Sequence, residues 1–159
     1  YAPTLVAMGR SKLPVISDRD GVPMLTAAFE PGRWRTLRPG DDAVVFAFGP
    51  MVYRAVQASD RLFDEGFGLR VINASSLAPP DVETTVDAVR SVGRVLTYED
   101  HHRDTGLGAI VGQIIADHGL SAPMRRLGVH QYGTSGVPDT LFAEQGLSVD
   151  DLMDAARAL

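Results

Sequence analysis

The chain has 159 residues, of which 45% are hydrophobic and 22% charged, and this size and composition predict one globular domain with a sizeable core. Its net charge of −5 argues against a nucleic-acid-binding or anionic-lipid-binding surface. The absence of cysteine excludes disulfides and thiolate metal sites. No apolar run approaches the ~20 residues that span a bilayer. We therefore expect a cytoplasmic protein with neither a nucleic-acid nor a membrane partner.

The N-terminal residues lack the pattern of a packed domain. Thr4 to Met8 is a short apolar stretch typical of a strand, and the chain begins as though inside that strand, so we expect a fragment of a longer protein. Ser11 to Phe29 is interrupted by Pro14, Gly21 and Pro23 and has no period that would bury one face. This stretch is predicted to be a linker.

From Arg33 onward, short apolar strands alternate with amphipathic helices, a pattern that predicts a mostly parallel sheet covered on both faces. A tight turn at Pro39-Gly40-Asp41 follows the first strand, which is therefore expected to lie antiparallel. The predicted fold is a three-layer α/β/α domain with a five-stranded sheet. Its strands are Arg33 to Leu37, Ala43 to Phe48, Leu69 to Ile72, Arg94 to Tyr98 and Met124 to Val129, and its helices begin near Pro50, Asp81, Leu107 and Ser148.

A glycine cluster at residues 105–112 offers two interpretations. Glycines at the start of a helix let backbone N–H groups approach a phosphate, which suggests a dinucleotide site. The cluster does not follow its strand directly, however, and the first strand-to-helix turn lacks the expected glycines. Close helix packing is the preferred interpretation, with an anion site at Gly106, Leu107 and Gly108 as a further prediction.

Two other groups of polar residues invite a chemical interpretation. Residues 99–104 (EDHHRD) concentrate titratable side chains after a parallel strand, where a metal would find imidazole and carboxylate ligands. Adjacent histidines rarely face one ion, so we favour a solvated loop in which Glu99 caps or pairs locally, and no metal site is predicted. Ser135 lies in a turn-rich loop without the G-x-S-x-G motif of a hydrolase nucleophile, so no catalytic residue is predicted either.

The order of the short motifs resembles that of the transketolase family over essentially the whole chain. These motifs are Gly9-Arg10-Ser11-Lys12-Leu13-Pro14, Gly49-Pro50-Met51-Val52, residues 66–73 (GFGLRVIN), Pro80-Asp81, Tyr98-Glu99-Asp100-His101, Gly106-Leu107-Gly108, Arg126-Leu127-Gly128-Val129, Ser135-Gly136 and Gln145-Gly146-Leu147. The pattern is most similar to the short transketolases that are encoded as two subunits. One departure is Thr105-Gly106, where the family often has two adjacent glycines.

The resemblance implies the end of a pyrimidine-binding domain at residues 1–12, a linker at 13–32 and the transketolase C-terminal domain at 33–159. It implies that the parent transfers two-carbon ketol units between sugar phosphates, using thiamine diphosphate and Mg²⁺ held by upstream domains, so that this fragment binds neither. It also implies that Arg10 binds the substrate phosphate. Pairing of Arg10 with Asp18 or Asp20 is the alternative.

The resemblance further implies a homodimeric parent, with or without a separate N-terminal subunit. Two alternatives stay open at this stage. Related C-terminal domains occur in deoxyxylulose-phosphate synthase and in the β subunit of 2-oxoacid dehydrogenases, and such a domain can also serve as a partner-docking module without catalysis.

Overall fold

The computed structural model describes Pro3, Leu5 and residues 12–159. The strand predicted at Thr4 to Met8 therefore lies, except for Leu5, outside the described residues. The described residues form five strands and five helices. In chain order these are β1 (Arg35–Arg38), β2 (Ala43–Ala47), α1 (Met51–Asp64), β3 (Leu69–Asn73), α2 (Val82–Val92), β4 (Val95–His102), α3 (Leu107–Asp117), β5 (Met124–Val129), α4 (Pro138–Glu144) and α5 (Val149–Arg157).

The strands form one mixed sheet in the order β1-β3-β2-β4-β5. Strands β2 to β5 are parallel, and β1 is antiparallel to β3. The predicted fold, including the antiparallel first strand, is confirmed. The neighbour of β1 differs from the expected one, because β1 pairs with β3 at the edge of the sheet and forms no hairpin with β2.

Two apolar clusters fill the spaces on either side of the sheet. On one face α1 and α5 pack against side chains such as Val45 and Tyr98, and on the other face α2 and α3 pack against side chains such as Phe46 and Val95. All five residues of β2 are buried, as expected of a central strand covered on both faces. This arrangement is the predicted three-layer α/β/α fold.

Local sequence signals account for several helix boundaries. Asp81 caps α2 by accepting a hydrogen bond from the Thr84 N–H, and Gly93 ends that helix with a φ of 75°. The predicted capping box of α5 is present, since Ser148 and Asp151 bond to each other's backbone N–H. Helix α4 has no buried residue, and its position was not predicted from the sequence.

Candidate functional site

From β2, the chain first adds β3 on one side of the sheet and then β4 on the other. The carboxyl ends of β2 and β4 therefore border a crevice, which is the usual ligand position in open α/β folds. Here the rings of Phe48 and His101 pack edge to face with their centroids 5.1 Å apart. Gly49 adjoins Asp100, because a Cβ built at Gly49 would lie 3.5 Å from the Asp100 Oδ1. The protein's own side chains therefore occupy part of this crevice.

Glu99 is fully buried and contacts the first turn of α3. Its Oε2 accepts a hydrogen bond from the Leu107 N–H at 2.6 Å, and its Oε1 accepts one from the Gly108 N–H at 2.8 Å. The N-cap residue of α3 is Gly106, which has no side chain to cap the helix. A carboxylate from β4 thus satisfies two N–H groups at the positive end of the helix dipole.

The glycines at the start of α3 allow this close contact. A Cβ at Gly106 would overlap the Glu99 carboxylate, and a Cβ at Gly108 would lie 2.9 Å from both the Thr97 Oγ1 and the Arg126 Cδ. Close packing is therefore the role of these two glycines in this fold. An external anion at Gly106, Leu107 and Gly108 stays a prediction, and it would have to compete with the Glu99 carboxylate for the last two N–H groups.

Strand β4 continues through His102, so the predicted solvated loop at residues 99–104 is shorter than expected. Asp100 Oδ1 lies 3.2 Å from the His101 Nδ1 but is not aligned for a hydrogen bond, and the His102 Nδ1 accepts one from the Asp104 N–H at 3.3 Å. Among residues 12–159, Pro3 and Leu5, no group of three or more His, Cys, Asp or Glu side chains is placed to hold a metal ion.

No described residue is placed as an activated nucleophile. Ser135 lies in an exposed segment and forms no hydrogen bond to a histidine within the part of the chain that the structure describes. Tyr98 is buried, and its hydroxyl donates to the Leu147 carbonyl at 2.5 Å. Burial raises the pKa of Tyr98, only partly offset by the charge of Arg54, so the phenol stays protonated and anchors the segment before α5.

The segment predicted to be a linker packs onto the domain through a buried cation. Arg38 pairs with Asp60 through Nε at 2.7 Å and Nη2 at 2.9 Å, and Nη2 also donates to the Ser17 carbonyl at 2.9 Å. Arg19 adds a second contact to Asp60 at 3.2 Å. Burial alone would raise the pKa of Asp60, but the hydrogen bonds and charges of Arg38 and Arg19 outweigh burial and hold the pKa below its ordinary value.

Arg10, the predicted phosphate ligand, lies outside the described residues, so its role stays a prediction. Asp18, one alternative partner of Arg10, already closes a turn, because its Oδ1 accepts hydrogen bonds from the backbone N–H groups of Asp20 and Val22. Lys12 is exposed. The described residues bring Glu99, Gly106 and Gly108 together but give no information on Arg10.

A family model described as "Transketolase, C-terminal domain" matches residues 32–152. An apulose-4-phosphate transketolase subunit from Phocaeicola vulgatus is 33% identical over 155 residues, covering 97% of this chain and 47% of that protein. The corresponding protein from Actinobacillus succinogenes is 28% identical over 159 residues, covering 99% of this chain and 49% of that protein. The chain thus spans about half the length of these two relatives.

A 1-deoxy-D-xylulose-5-phosphate synthase from Trichormus variabilis is 34% identical over 132 residues, covering 80% of this chain and 21% of that protein. Among solved structures, a split-gene transketolase, described as an inactive beta4 tetramer, superposes with a TM-score of 0.84 at 32% identity. That match covers 94% of this chain and 47% of the other.

Proposed function

The chain belongs to the transketolase C-terminal domain family, and on that premise we propose that it is the C-terminal portion of the C-terminal subunit of a split transketolase. The complete enzyme would use thiamine diphosphate and Mg²⁺ to transfer a two-carbon ketol unit between sugar phosphates. Residues 1–12 would end the pyrimidine-binding domain, residues 13–32 would be the linker, and residues 33–159 would be the C-terminal domain. The complete enzyme is expected to act in the cytoplasm.

The extent of the match favours a split transketolase over a deoxyxylulose-phosphate synthase. Alignment with the two apulose-4-phosphate transketolase subunits covers 97% and 99% of the chain and so includes the segment before the domain. Alignment with the synthases from Trichormus variabilis and Crocosphaera subtropica covers 80% and 87%. This difference is the observation that carries the proposal. A synthase and a 2-oxoacid dehydrogenase β subunit remain the alternative parents.

Among the described residues, no group of three or more His, Cys, Asp or Glu side chains is placed to hold a metal ion, and we propose that upstream domains hold the thiamine diphosphate and Mg²⁺. We therefore assign this chain no step that involves the cofactor. Its own residues form the rigid domain, in which Glu99 fixes α3 to β4 and Arg38 fixes residues 17–24 to α1. Arg10 is proposed to bind the phosphate of the substrate.

The segment docked by Arg38 supports a role in contacts between subunits or domains. Ile16 and Met24 of this segment pack against the core of the domain, whereas other apolar side chains of residues 13–32 are exposed, among them Val15 at 72% and Phe29 at 66%. Exposed apolar side chains on a fixed segment are typical of a surface that another polypeptide covers. We propose that it contributes to a homodimer of the parent or to contact with a separate N-terminal subunit. The same observation favours the second candidate function, a partner-docking module without catalysis.

Calorimetric titration tests the proposal. Thiamine diphosphate with Mg²⁺ should give no heat beyond dilution when added to the 159-residue chain. It should give saturable heat when added to the complete C-terminal subunit combined with its N-terminal companion. Micromolar binding to the 159-residue chain alone, or no binding to the complete pair, would contradict the assignment.

A further inference from the structure

A cleft of about 320 Å³ lies along the outer edge of the sheet, beside β5. Gly106, Leu107 and Gly108 of the predicted anion site do not line it, whereas Arg103 from the group at residues 99–104 does. We call it the β5 cleft and define it by its lining residues: Arg103, Arg125, Arg126, Leu127, Gly128, His130, Gln145, Gly146, Asp151 and Ala155.

Positive charge predominates in the β5 cleft. Three arginines line it, and the single lining carboxylate, Asp151, already accepts hydrogen bonds from the Ser148 N–H and hydroxyl. Arg125 has no carboxylate within 4.0 Å in the part of the chain that the structure describes. Arg126 is 3.5 Å from the exposed carboxylate of Asp104, beyond the 2.7–2.9 Å typical of a charge-assisted hydrogen bond. The Arg126 Nη1 also donates to the Arg103 carbonyl at 3.3 Å, which is a long hydrogen bond. Arg125 and the weakly held Arg126 are therefore the two guanidinium groups available to an anion.

The backbone of β5 distributes these charges around the cleft. Neighbouring residues of a strand point to opposite faces, so Arg125 and Arg126 reach the cleft from different sides of the sheet edge. Arg103 lies over β5 at Gly128, where a Cβ would be only 2.8 Å from the Arg103 Cβ. Glycine at position 128 thus allows a third guanidinium to approach the same space.

We propose that the β5 cleft binds a small molecule carrying two phosphate groups. A guanidinium offers a planar pair of donors that matches phosphate oxygens, and two such groups on opposite sides suit two separate anionic groups. The cleft volume lies within the ~300–1,000 Å³ typical of small-molecule sites. The competing explanation is that Arg125 and Arg126 only prevent the free edge of β5 from pairing with other sheets.

Titration with inorganic pyrophosphate at constant ionic strength separates the two explanations. We expect saturable one-site binding to the unmodified chain and at least tenfold weaker binding to the double variant Arg125→Gln/Arg126→Gln. The matched control is Arg94→Gln, an exposed arginine before β4, which should bind as the unmodified chain does. Absence of saturable binding, or equal binding by the double variant, would overturn the proposal. Sulfate binding as tightly as pyrophosphate would overturn the assignment to two phosphate groups.

Amide chemical shifts of the unmodified chain provide a second readout that does not depend on how the double variant folds. Pyrophosphate should shift the N–H signals of Gly128 and Gly146, which line the β5 cleft. Shifts confined to Gly106, Leu107 and Gly108 would place the anion at the start of α3 and would overturn the proposal.

Discussion

Glu99 occupies the place that an N-cap side chain usually takes at the start of a helix. Alternation along β4 puts Val95, Thr97 and Glu99 on the face that α3 covers, and this alternation was the signal that could have identified Glu99 as buried. The sequence predicted that Glu99 caps or pairs locally but placed it in a solvated loop. A carboxylate is rarely buried unless it is paired, so the residue type favoured exposure.

Substituting Gly106 with Ala tests the contact between Glu99 and α3. The new Cβ would overlap a carboxylate that two backbone hydrogen bonds hold in place, so Gly106→Ala should lower the free energy of unfolding by about 1–3 kcal/mol. The matched control is Gly133→Ala, whose Cβ would meet no atom within 4 Å and which should change stability by less than about 0.5 kcal/mol. Urea unfolding of both variants measures the difference, and equal effects would contradict this role of Gly106.

Arg10→Ala in the complete enzyme tests the predicted phosphate ligand. Loss of a charge-assisted contact should cost about 1.5–3 kcal/mol, or roughly ten- to hundredfold in apparent affinity for the phosphorylated donor. Steady-state kinetics with the phosphorylated donor and its unphosphorylated analogue measure this loss. Lys12→Ala is the matched control, because Lys12 is exposed and should have little effect. Equal loss with both donors would show that Arg10 supports the fold and does not bind phosphate.

At the scale of whole elements, the central strands were predicted well because they are continuous apolar runs, and the amphipathic helices because each buries a periodic apolar face. The antiparallel direction of β1 was predicted from the turn after it, but its partner β3 was not, because sheet order depends on which strand edges meet in three dimensions. Helix α4 was missed because it buries no residue and so leaves no apolar period in the sequence.

The segment before β1 illustrates a contact that the sequence could not show. Residues 17–24 have no apolar period, yet hydrogen bonds from Arg38 fix them to the domain, including one from its Nη1 to the Met24 Sδ at 3.1 Å. Met24 also packs against the core. Arg38 is itself buried, with only 5% of its side chain exposed. Its pairing with Asp60 spans 22 positions in the sequence, and no local pattern predicts such a pair.

Asp60→Asn should weaken this attachment. Asp60 is 36% exposed, so solvent screening limits the loss to about 1–2 kcal/mol at neutral pH. Because the folded-state pKa of Asp60 is lowered, its contribution is present above the unfolded-state pKa of about 3.9 and disappears as the pH falls through the folded-state value. Urea unfolding from pH 7 to pH 3 should show the difference between wild type and variant shrinking below pH 4.

Asp87→Asn is the control for this pH series, since Asp87 is exposed and forms no ion pair among the described residues. Its stability should follow that of the wild type at every pH. A difference between wild type and Asp60→Asn that stays constant down to pH 3 would contradict the proposed ion pair.

At the scale of the whole molecule, the order of short motifs predicted the family and the fold because the motifs mark the turns and helix starts of one topology. Arg10 is the one substrate-binding residue that the motifs implied, and they implied no cofactor-binding residue in a chain that spans only about half of the two related transketolase subunits. The β5 cleft was also missed, since it arises where Arg103 and Arg125 come together only in the folded domain.

The most direct test of the central claim is ketol transfer by the complete C-terminal subunit and its N-terminal companion, with thiamine diphosphate, Mg²⁺ and a pair of sugar phosphates. We predict two-carbon transfer by the complete pair and no transfer when the 159-residue chain replaces the complete C-terminal subunit. Formation of 1-deoxyxylulose 5-phosphate in a parallel reaction supplied with pyruvate and glyceraldehyde 3-phosphate, without ketol transfer in the first reaction, would contradict the assignment of this domain to a split transketolase. Full activity with the 159-residue chain would contradict it as well.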